Sequence, residues 1–375
     1  MSGPATGSRR DLIGEAIRRP LPLAYHPLYR FYEGGALTRA FRGLPERPDD
    51  WWSEDWVGSC TCAGNSDPDG HAQGLSTVDL AGLGAITLKS VVEACPEEMV
   101  GASFADRYGA QTGVLVKLLS PSGPVPLHAH PTRAWARQHL ASPFGKTEAW
   151  ILLDTPGDGR EPAYAGIGFV PGTDRDWFAD AVRRHDSPGI RGTVHRTDIH
   201  PGEVYVAHAG VPHYLGPRLS FIEVQEPSDH IVIPETAGDD DAGATMGLGW
   251  DLALDMIDYA TADRETTFAR ARQQPRVLRS SHGSREVRLV HPDVTTFFEA
   301  TALEVADEIE VGDGRFSIAI VVAGAGSVEG DFGRLPIGQG QAFAWPASLA
   351  LRVRAGREPV RVVRCLGPDP AFSTG

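Results

Sequence analysis

Apolar residues occur along the chain in short runs that are separated by turns containing glycine and proline. Short runs with alternating polarity or β-branched composition predict strands. Helical spacing is rarer, and it predicts helices over Arg133–Leu140, Asp176–Arg184 and Trp250–Tyr259. The pattern is therefore typical of a mainly β protein, a sandwich or barrel fold with a few helices. The predicted strands are Val114–Leu119, Trp150–Leu153, Val204–Ala207, Leu219–Val224, Val287–Val290, Ser317–Val322 and Val360–Cys365.

A weak internal repeat indicates two similar barrels. When Gly202 is matched to Gly340, both segments read as a glycine turn, an apolar strand and a corner of small residues. At this register Leu351 stands opposite His213, and no histidine follows His291. We therefore predict that the first barrel carries the chemistry and that the second is structural.

A polar, glycine-bearing stretch before the helix predicted at Trp250 marks a domain boundary. Residues 1–245 are predicted to form the catalytic barrel, with an N-terminal extension and small helical insertions. Residues 246–375 are predicted to form a linker helix and a second barrel that has lost its metal site.

Charge and composition exclude several classes of partner. The chain has 35 basic and 49 acidic residues and a formal charge of −14, which disfavours nucleic-acid phosphates and anionic membranes. No apolar run approaches the roughly 20 residues of a spanning helix, and the first residues lack the apolar region of a signal peptide. The four cysteines form neither a disulfide ladder nor a CxxC pair. We expect a cytoplasmic protein, a monomer or homodimer, with no nucleic-acid or membrane partner.

Three separate segments offer candidate metal ligands. His128 and His130 flank one alanine, so both imidazoles share a face if the segment is extended. Such a pair arises by chance about half the time in a chain with this many histidines. The turn and strand that carry Glu148 and the small-residue corner that ends in His213 strengthen the signal. Three imidazoles and one carboxylate suit a divalent metal.

At these segments the chain resembles the type I mannose-6-phosphate isomerases of the cupin superfamily, especially their short bacterial form. The order and spacing of the matching segments extend over roughly residues 25 to 260. The resemblance implies two jelly-roll barrels of cupin type, the second without metal. The segments are Tyr29–Gly35, Glu54–Ser59, Leu115–Leu119, His128–Pro131, Gly145–Glu148, Pro201–Glu203, Ala209–His213, Phe221–Gln225, Ser228–Asp229 and Trp250–Asp258.

The resemblance implies a metal site and roles for three further residues. Zinc is the usual ion of the family, although this chain has His128 where the family typically has glutamine, so Mn, Fe and Ni remain open. Lys117 would bind substrate, while Lys146 and Glu223 would be the catalytic pair, and the choice of base between those two stays open. The implied metal ligands are His128, His130, Glu148 and His213.

The implied reaction is the isomerisation of mannose 6-phosphate to fructose 6-phosphate, in which a divalent metal stabilises an ene-diolate. Two departures from the family pattern bear on it. Ile233 stands where the family has a catalytic arginine, and Pro126 replaces a family serine. The alternatives are therefore a catalytically silent cupin that binds a sugar, or an isomerase of a different sugar, which need not be phosphorylated. A metal-dependent oxygenase is a third reading, which the lysine and glutamate positions disfavour.

Overall fold

The computed structural model describes residues 8–154, 163–217, 219–238 and 240–372, and strands predominate among them. The strands are β1 (Leu21–Leu23), β2 (Pro27–Leu28), β3 (Glu54–Trp56), β4 (Thr77–Leu80), β5 (Gly84–Thr87), β6 (Leu115–Leu119), β7 (Glu148–Asp154), β8 (Tyr164–Phe169), β9 (Val194–Asp198), β10 (Val204–Ala207), β11 (His213–Leu215), β12 (Ser220–Gln225), β13 (Arg272–Gln273), β14 (Arg276–Ser281), β15 (Ser284–Val290), β16 (Glu299–Val305), β17 (Glu308–Val311), β18 (Ser317–Ala323), β19 (Ala325–Gly330), β20 (Gly333–Gly338), β21 (Ala342–Trp345), β22 (Leu351–Ala355) and β23 (Val360–Leu366).

Short helices connect the strands, and most lie in the first two thirds of the chain. A 3-10 turn covers Pro234–Thr236. The α-helices are α1 (Arg9–Ala16), α2 (Ala36–Phe41), α3 (Leu88–Ala94), α4 (Pro96–Val100), α5 (Ala102–Tyr108), α6 (Arg133–His139), α7 (Arg175–Arg183), α8 (Ser187–Gly192), α9 (Asp241–Ala244), α10 (Trp250–Asp255) and α11 (Arg264–Ala271).

The predicted mainly β class is confirmed, and each of the seven predicted strands is present within three residues of its predicted ends. One predicted helix is shorter than expected, because α10 ends at Asp255 instead of Tyr259. The backbone N–H of Asp258 donates to the carbonyl of Gly210 (2.8 Å), so a tertiary hydrogen bond replaces the next helical one.

Two seven-stranded antiparallel sheets have matching strand orders. The first is β13-β10-β7-β12-β6-β3-β2, and the second is β1-β21-β18-β23-β16-β15-β14. Each has a smaller companion sheet, β11-β8-β9 and β17-β22-β19-β20. The repeat predicted from sequence appears in this arrangement, since Gly202 and Gly340 take φ values of 82° and 83° before β10 and β21. His213 begins β11 and Leu351 begins β22, as the alignment of the two copies requires.

The two large sheets exchange short strands. Near the N-terminus, β1 pairs with β21 of the second sheet, with Leu21 opposite Ala344. Later in the chain, β13 pairs with β10 of the first sheet, with Gln273 opposite Val204. The predicted domain boundary between residues 245 and 246 stays a prediction. The exchange means that each large sheet contains one short strand from the other side of that boundary.

Alternation along the strands divides the core into layers. One face of each large sheet contributes to a shared cluster, in which Ile151 and Ile222 of the first sheet join Ile320 and Val363 of the second. The opposite faces pack against the companion sheets and form the two barrel interiors. The candidate site residues lie on the interior side of the first of these barrels.

Candidate active site

The period of two places three site residues on one face of the first large sheet. On β7, Ala149 and Ile151 belong to the shared cluster, so Glu148 points with Trp150 and Leu152 into the barrel. The same alternation applies on the two neighbouring strands. Lys117 lies between Val116 and Leu118 on β6, and Glu223 lies between Ile222 and Val224 on β12.

The four predicted metal ligands come together in the barrel interior. One ligand atom from each of His128, His130, Glu148 and His213 lies within 4.8 Å of all the others, and all four side chains are buried. The segment of His128 and His130 is not a regular strand. It is held extended by isolated bridges, in which His128 and His213 exchange two backbone hydrogen bonds of 2.9 Å.

The three imidazoles are oriented in the same way. Each Nδ1 faces a backbone carbonyl, and the distances are 2.7 Å for His128, 2.8 Å for His130 and 2.9 Å for His213. A carbonyl oxygen only accepts, so we assign the proton to Nδ1 in each ring. Each Nε2 then presents a lone pair to the cluster, which is the usual orientation of histidine ligands to a metal.

The cluster contains more hydrogen-bond acceptors than the protein supplies donors for. His130 Nε2 lies 3.0 Å from one carboxylate oxygen of Glu148, and His213 Nε2 lies 3.3 Å from the other. His213 Nε2 is buried and has no hydrogen-bond partner, whereas Glu148 Oε2 is approached by His130 Nε2 and by Lys146 Nζ. Lone pairs that face a carboxylate at this distance repel one another unless a cation lies among them. The donor set therefore fits a divalent metal ion.

Burial and neighbouring charges hold His128 and His130 neutral and Glu148 ionised. Burial lowers the pKa of His128 well below its usual value, and burial followed by the nearby ammonium of Lys146 lowers the pKa of His130 to about 3. Burial alone would raise the pKa of Glu148, but Lys146 and then His130 outweigh it and hold this pKa well below the usual range. These are the protonation states that metal binding requires.

Lys146 stands at the edge of the ligand cluster. Its Nζ lies 3.1 Å from both His130 Nε2 and Glu148 Oε2. The turn that carries Lys146 packs closely on the preceding segment, because a Cβ at Gly145 would lie only 2.5 Å from the carbonyl oxygen of Pro131. A glycine is therefore needed here to bring the lysine to the cluster.

Lys117 and Glu223 form a second buried group beside the ligands. Their side chains approach to 3.1 Å, and Lys117 Nζ also lies 3.5 Å from Glu54 and 3.9 Å from Asp229. Burial would lower the pKa of Lys117, but the surrounding carboxylates, Glu54 first, raise it above its usual value. Burial raises the pKa of Glu223, and the charge of Glu148 adds to the shift.

Sequence reasoning assigned no role to three residues that organise this group. Arg30 binds Asp229 through two nitrogens, at 2.9 and 3.0 Å, and its Nε donates to Glu54 at 3.2 Å. Arg30, Glu54 and Asp229 all fell within the matching segments. The available signal was a pair of acidic residues, Glu54 and Asp55, in the short strand that ends at Trp56.

A cleft of about 850 Å³ lies next to the segments that carry His128 and His130, although neither the four ligands nor Lys146 are among the residues that line it. Pro126 and His230 line it, and their carbonyls are the ones that hold His128 and His130. Asp229 and Ile233 also line it. The two positions that depart from the family pattern, Pro126 and Ile233, are therefore both at this cleft.

The second barrel differs from the first at the equivalent of its last ligand. Leu351, the counterpart of His213, is buried in the apolar interior with Val353 and Trp345. Within the described part of residues 262–372, no group of His, Cys, Asp and Glu side chains is placed to hold a metal ion. None of the helices in the described ranges has the length and apolar character needed to cross a membrane.

No protein-family model matches the chain. A Bacillus subtilis (strain 168) protein named probable mannose-6-phosphate isomerase GmuF is 30% identical over 211 residues, which are 56% of this chain and 59% of that protein. Mannose-6-phosphate isomerase ManA of the same organism is 24% identical over 210 residues, 56% of this chain and 58% of that protein. These matches span less than two thirds of the length of either relative.

The solved structures extend the likeness to nearly the whole chain. The crystal structure of the mannose 6-phosphate isomerase from Bacillus subtilis has a TM-score of 0.70 at 21% identity, and the match covers 92% of this chain and 99% of that chain. At this identity the structural match shows the shared fold. Together, the curated relatives and the shared fold make the chain similar to mannose-6-phosphate isomerases.

Proposed function

We propose that the protein is a metal-dependent aldose–ketose isomerase of the mannose-6-phosphate isomerase type. The observation that carries the proposal is the convergence of four metal-ligand side chains with Lys146 and Glu223 in one buried barrel interior. Interconversion of mannose 6-phosphate and fructose 6-phosphate is the first reaction to test, because the relatives carry that name.

Aldose–ketose isomerisation moves a proton from C2 to C1 of the open-chain sugar, and negative charge builds up on the two adjacent oxygens. A divalent ion held by His128, His130, Glu148 and His213 would supply Lewis-acid stabilisation of that charge. We propose zinc, and the set of three nitrogens and one oxygen also suits manganese, iron or nickel. Each imidazole is already oriented by its carbonyl, so the site needs little rearrangement to bind an ion.

The proposed proton transfer falls to Lys146 or Glu223. Lys146 Nζ is in contact with two ligand side chains and is placed to stabilise charge on a sugar oxygen there. Glu223 is a buried carboxylate with a raised pKa, as a general base near neutral pH requires. Lys117 holds Glu223 at 3.1 Å and would bind substrate beside it. Glu54 and Asp229 act through Lys117 as positioning residues.

The test is exchange of the C2 proton with solvent, measured together with turnover of the metal-reconstituted protein. Glu223→Gln and Lys146→Met should each lower turnover by about 10²-fold or more, which is the usual range for loss of a proton-transfer group. Lys89→Met is the matched control, because Lys89 is the one exposed lysine of the three in the chain. Failure of the metal-loaded wild-type protein to exchange this proton in any aldose would contradict the isomerase proposal.

A further inference from the structure

The charged residues that line the cleft beside the ligand cluster influence which substrates it can bind. The cleft measures about 850 Å³, which is in the range of small-molecule sites. Its charged lining residues among those the structure describes are Arg30, Asp229 and Asp240. Its lining residue Asp229 lies 3.9 Å from Lys117 Nζ, and the carbonyls of Pro126 and His230 hold two ligand imidazoles, so we take this cleft as the approach of a sugar to the ligand cluster.

Four of the five N–H donors of Arg30 are already engaged by the protein. Its Nη1 donates to Asn65 at 2.7 Å and to Asp229 at 2.9 Å, its Nη2 donates to Asp229 at 3.0 Å, and its Nε donates to Glu54. Asp229 is engaged as well, since it also accepts the backbone N–H of Gly64 at 2.9 Å. The charge of the guanidinium is thus neutralised by two carboxylates. No pair of N–H groups is left to bind a phosphate in a bidentate way.

Another part of the lining combines a carboxylate with apolar side chains. Asp240 is exposed at the start of α9, where its side chain accepts the N–H of Gly243 at 3.0 Å. It therefore already occupies the end of the helix that would attract an anion. Beside it, Ile231, Ile233 and Met246 line the cleft. This wall repels a phosphate monoester, which carries a charge of about −1.5 to −2 at pH 7.

The same groups suit a neutral sugar. The carboxylate of Asp240 can accept hydrogen bonds from hydroxyl groups, and the apolar wall can contact the C–H faces of the ring. Phe31 and Tyr29 also line the cleft; Phe31 is 41% exposed, and Tyr29 packs with Trp52 at a ring-centroid distance of 5.8 Å. Flat aromatic surfaces of this kind bury an apolar face of a ligand while its polar edge stays hydrated.

We propose that the substrate of this site is an unphosphorylated aldose. The inference rests on the proposed isomerase function, whose substrate class it specifies. The cleft would bind the sugar through hydroxyl groups at Asp240 and through the apolar wall around Ile233, while its reacting carbons lie at the ligand cluster.

The first test compares matched substrate pairs on the metal-reconstituted full chain. D-mannose is assayed against D-mannose 6-phosphate, and other aldohexoses against their 6-phosphates. We expect kcat/KM for the free sugar to exceed that for the phosphate by tenfold or more. A higher kcat/KM for the phosphates would overturn the inference and leave the isomerase function standing.

The second test does not depend on turnover. Calorimetric titration with mannitol and with mannitol 1-phosphate uses acyclic ligands that cannot be isomerised. Tighter binding of mannitol supports the inference, whereas tighter binding of the phosphate, or binding of neither, overturns it. Inactivity on every aldose would contradict the proposed function, and the binding result would still decide the nature of the ligand.

Two variants change the charge of the cleft. Asp240→Lys and Ile233→Arg should each shift the kcat/KM ratio toward the phosphorylated sugar by about tenfold. Asp240 is exposed, so its variant keeps the test valid if arginine at the buried Ile233 prevents folding. The control is Asp106→Lys, the same charge change at an exposed position on α5. An unchanged ratio in Asp240→Lys, or an equal shift in Asp106→Lys, would contradict the assignment.

Discussion

The neutral state of His130 predicts how the stability of the metal-free protein depends on pH. The pKa of this imidazole is lowered from 6.5 to about 3 in the folded chain, first by burial and then by Lys146. Below pH 6.5 the unfolded chain binds a proton that the folded chain does not bind. Stability is therefore lost as the pH falls from about 6.5 toward 3.

The size of this loss of stability depends on how far the pH lies below the pKa of the histidine in the unfolded chain. At pH 5.0 the cost is about 1.5 pH units at about 1.4 kcal/mol each, or roughly 2 kcal/mol for His130 alone. Carboxylates with lowered pKa values, such as Glu54 at about 2, stabilise the folded chain at neutral pH. They lose this contribution to stability mainly below pH 4.5. Asp55 acts in the opposite direction, because burial raises its pKa to about 6 and the folded chain gains a proton there.

Comparison with His130→Gln isolates the histidine, because Gln does not titrate and the other groups contribute to both proteins. The free energy of unfolding is measured by urea titration of the chelator-treated proteins at pH 7.5 and pH 5.0. The wild type should lose about 2 kcal/mol more than the variant between these conditions. Equal losses in the two proteins would refute the neutral, buried state of this imidazole.

Further predictions concern the metal and the barrels. Elemental analysis should find about one divalent ion per chain, and His130→Ala or His213→Ala should sharply lower it; unchanged content in both would contradict the ligand set. Phe343→Ala should destabilise the second barrel by about 3–5 kcal/mol in urea unfolding while the metal content stays the same, and metal loss would show that this barrel supports the site. Gly340→Ala should lower stability more than Gly202→Ala, although both have φ near 80°, because only at Gly340 would a Cβ collide with backbone; equal unfolding midpoints would contradict this.

Local periodicity was enough to predict the class of fold. Strands such as Val204–Ala207 and Ser317–Ala323 could be recognised because alternation and turn residues act within a few positions of the chain. The repeat around Gly202 and Gly340 also predicted the two matching sheets. The exchange of β1 and β13 between the sheets could not be predicted, because their few residues carry no pattern that specifies a partner.

The candidate metal ligands could likewise be recognised in the sequence. The backbone carbonyls that orient their imidazole rings could not. The spacing of His128 and His130 predicted a shared face, the segments that carry Glu148 and His213 made these two residues candidates, and the resemblance implied the same four ligands. The carbonyls that hold the imidazole rings come from Pro126, Val211 and His230, and the last of these lies 100 residues from its ring.

The charge of the cleft was decided by the tertiary structure alone. The sequence showed that Ile233 replaces an expected arginine, but it could not show whether another cation takes that place. Arg30 reaches the cleft and is neutralised there by Asp229, 199 residues away, and by Glu54. A sequence pattern reports which face a residue occupies on its own strand. The partners that neutralise its charge depend on how distant strands pack, and only the folded chain brings them together.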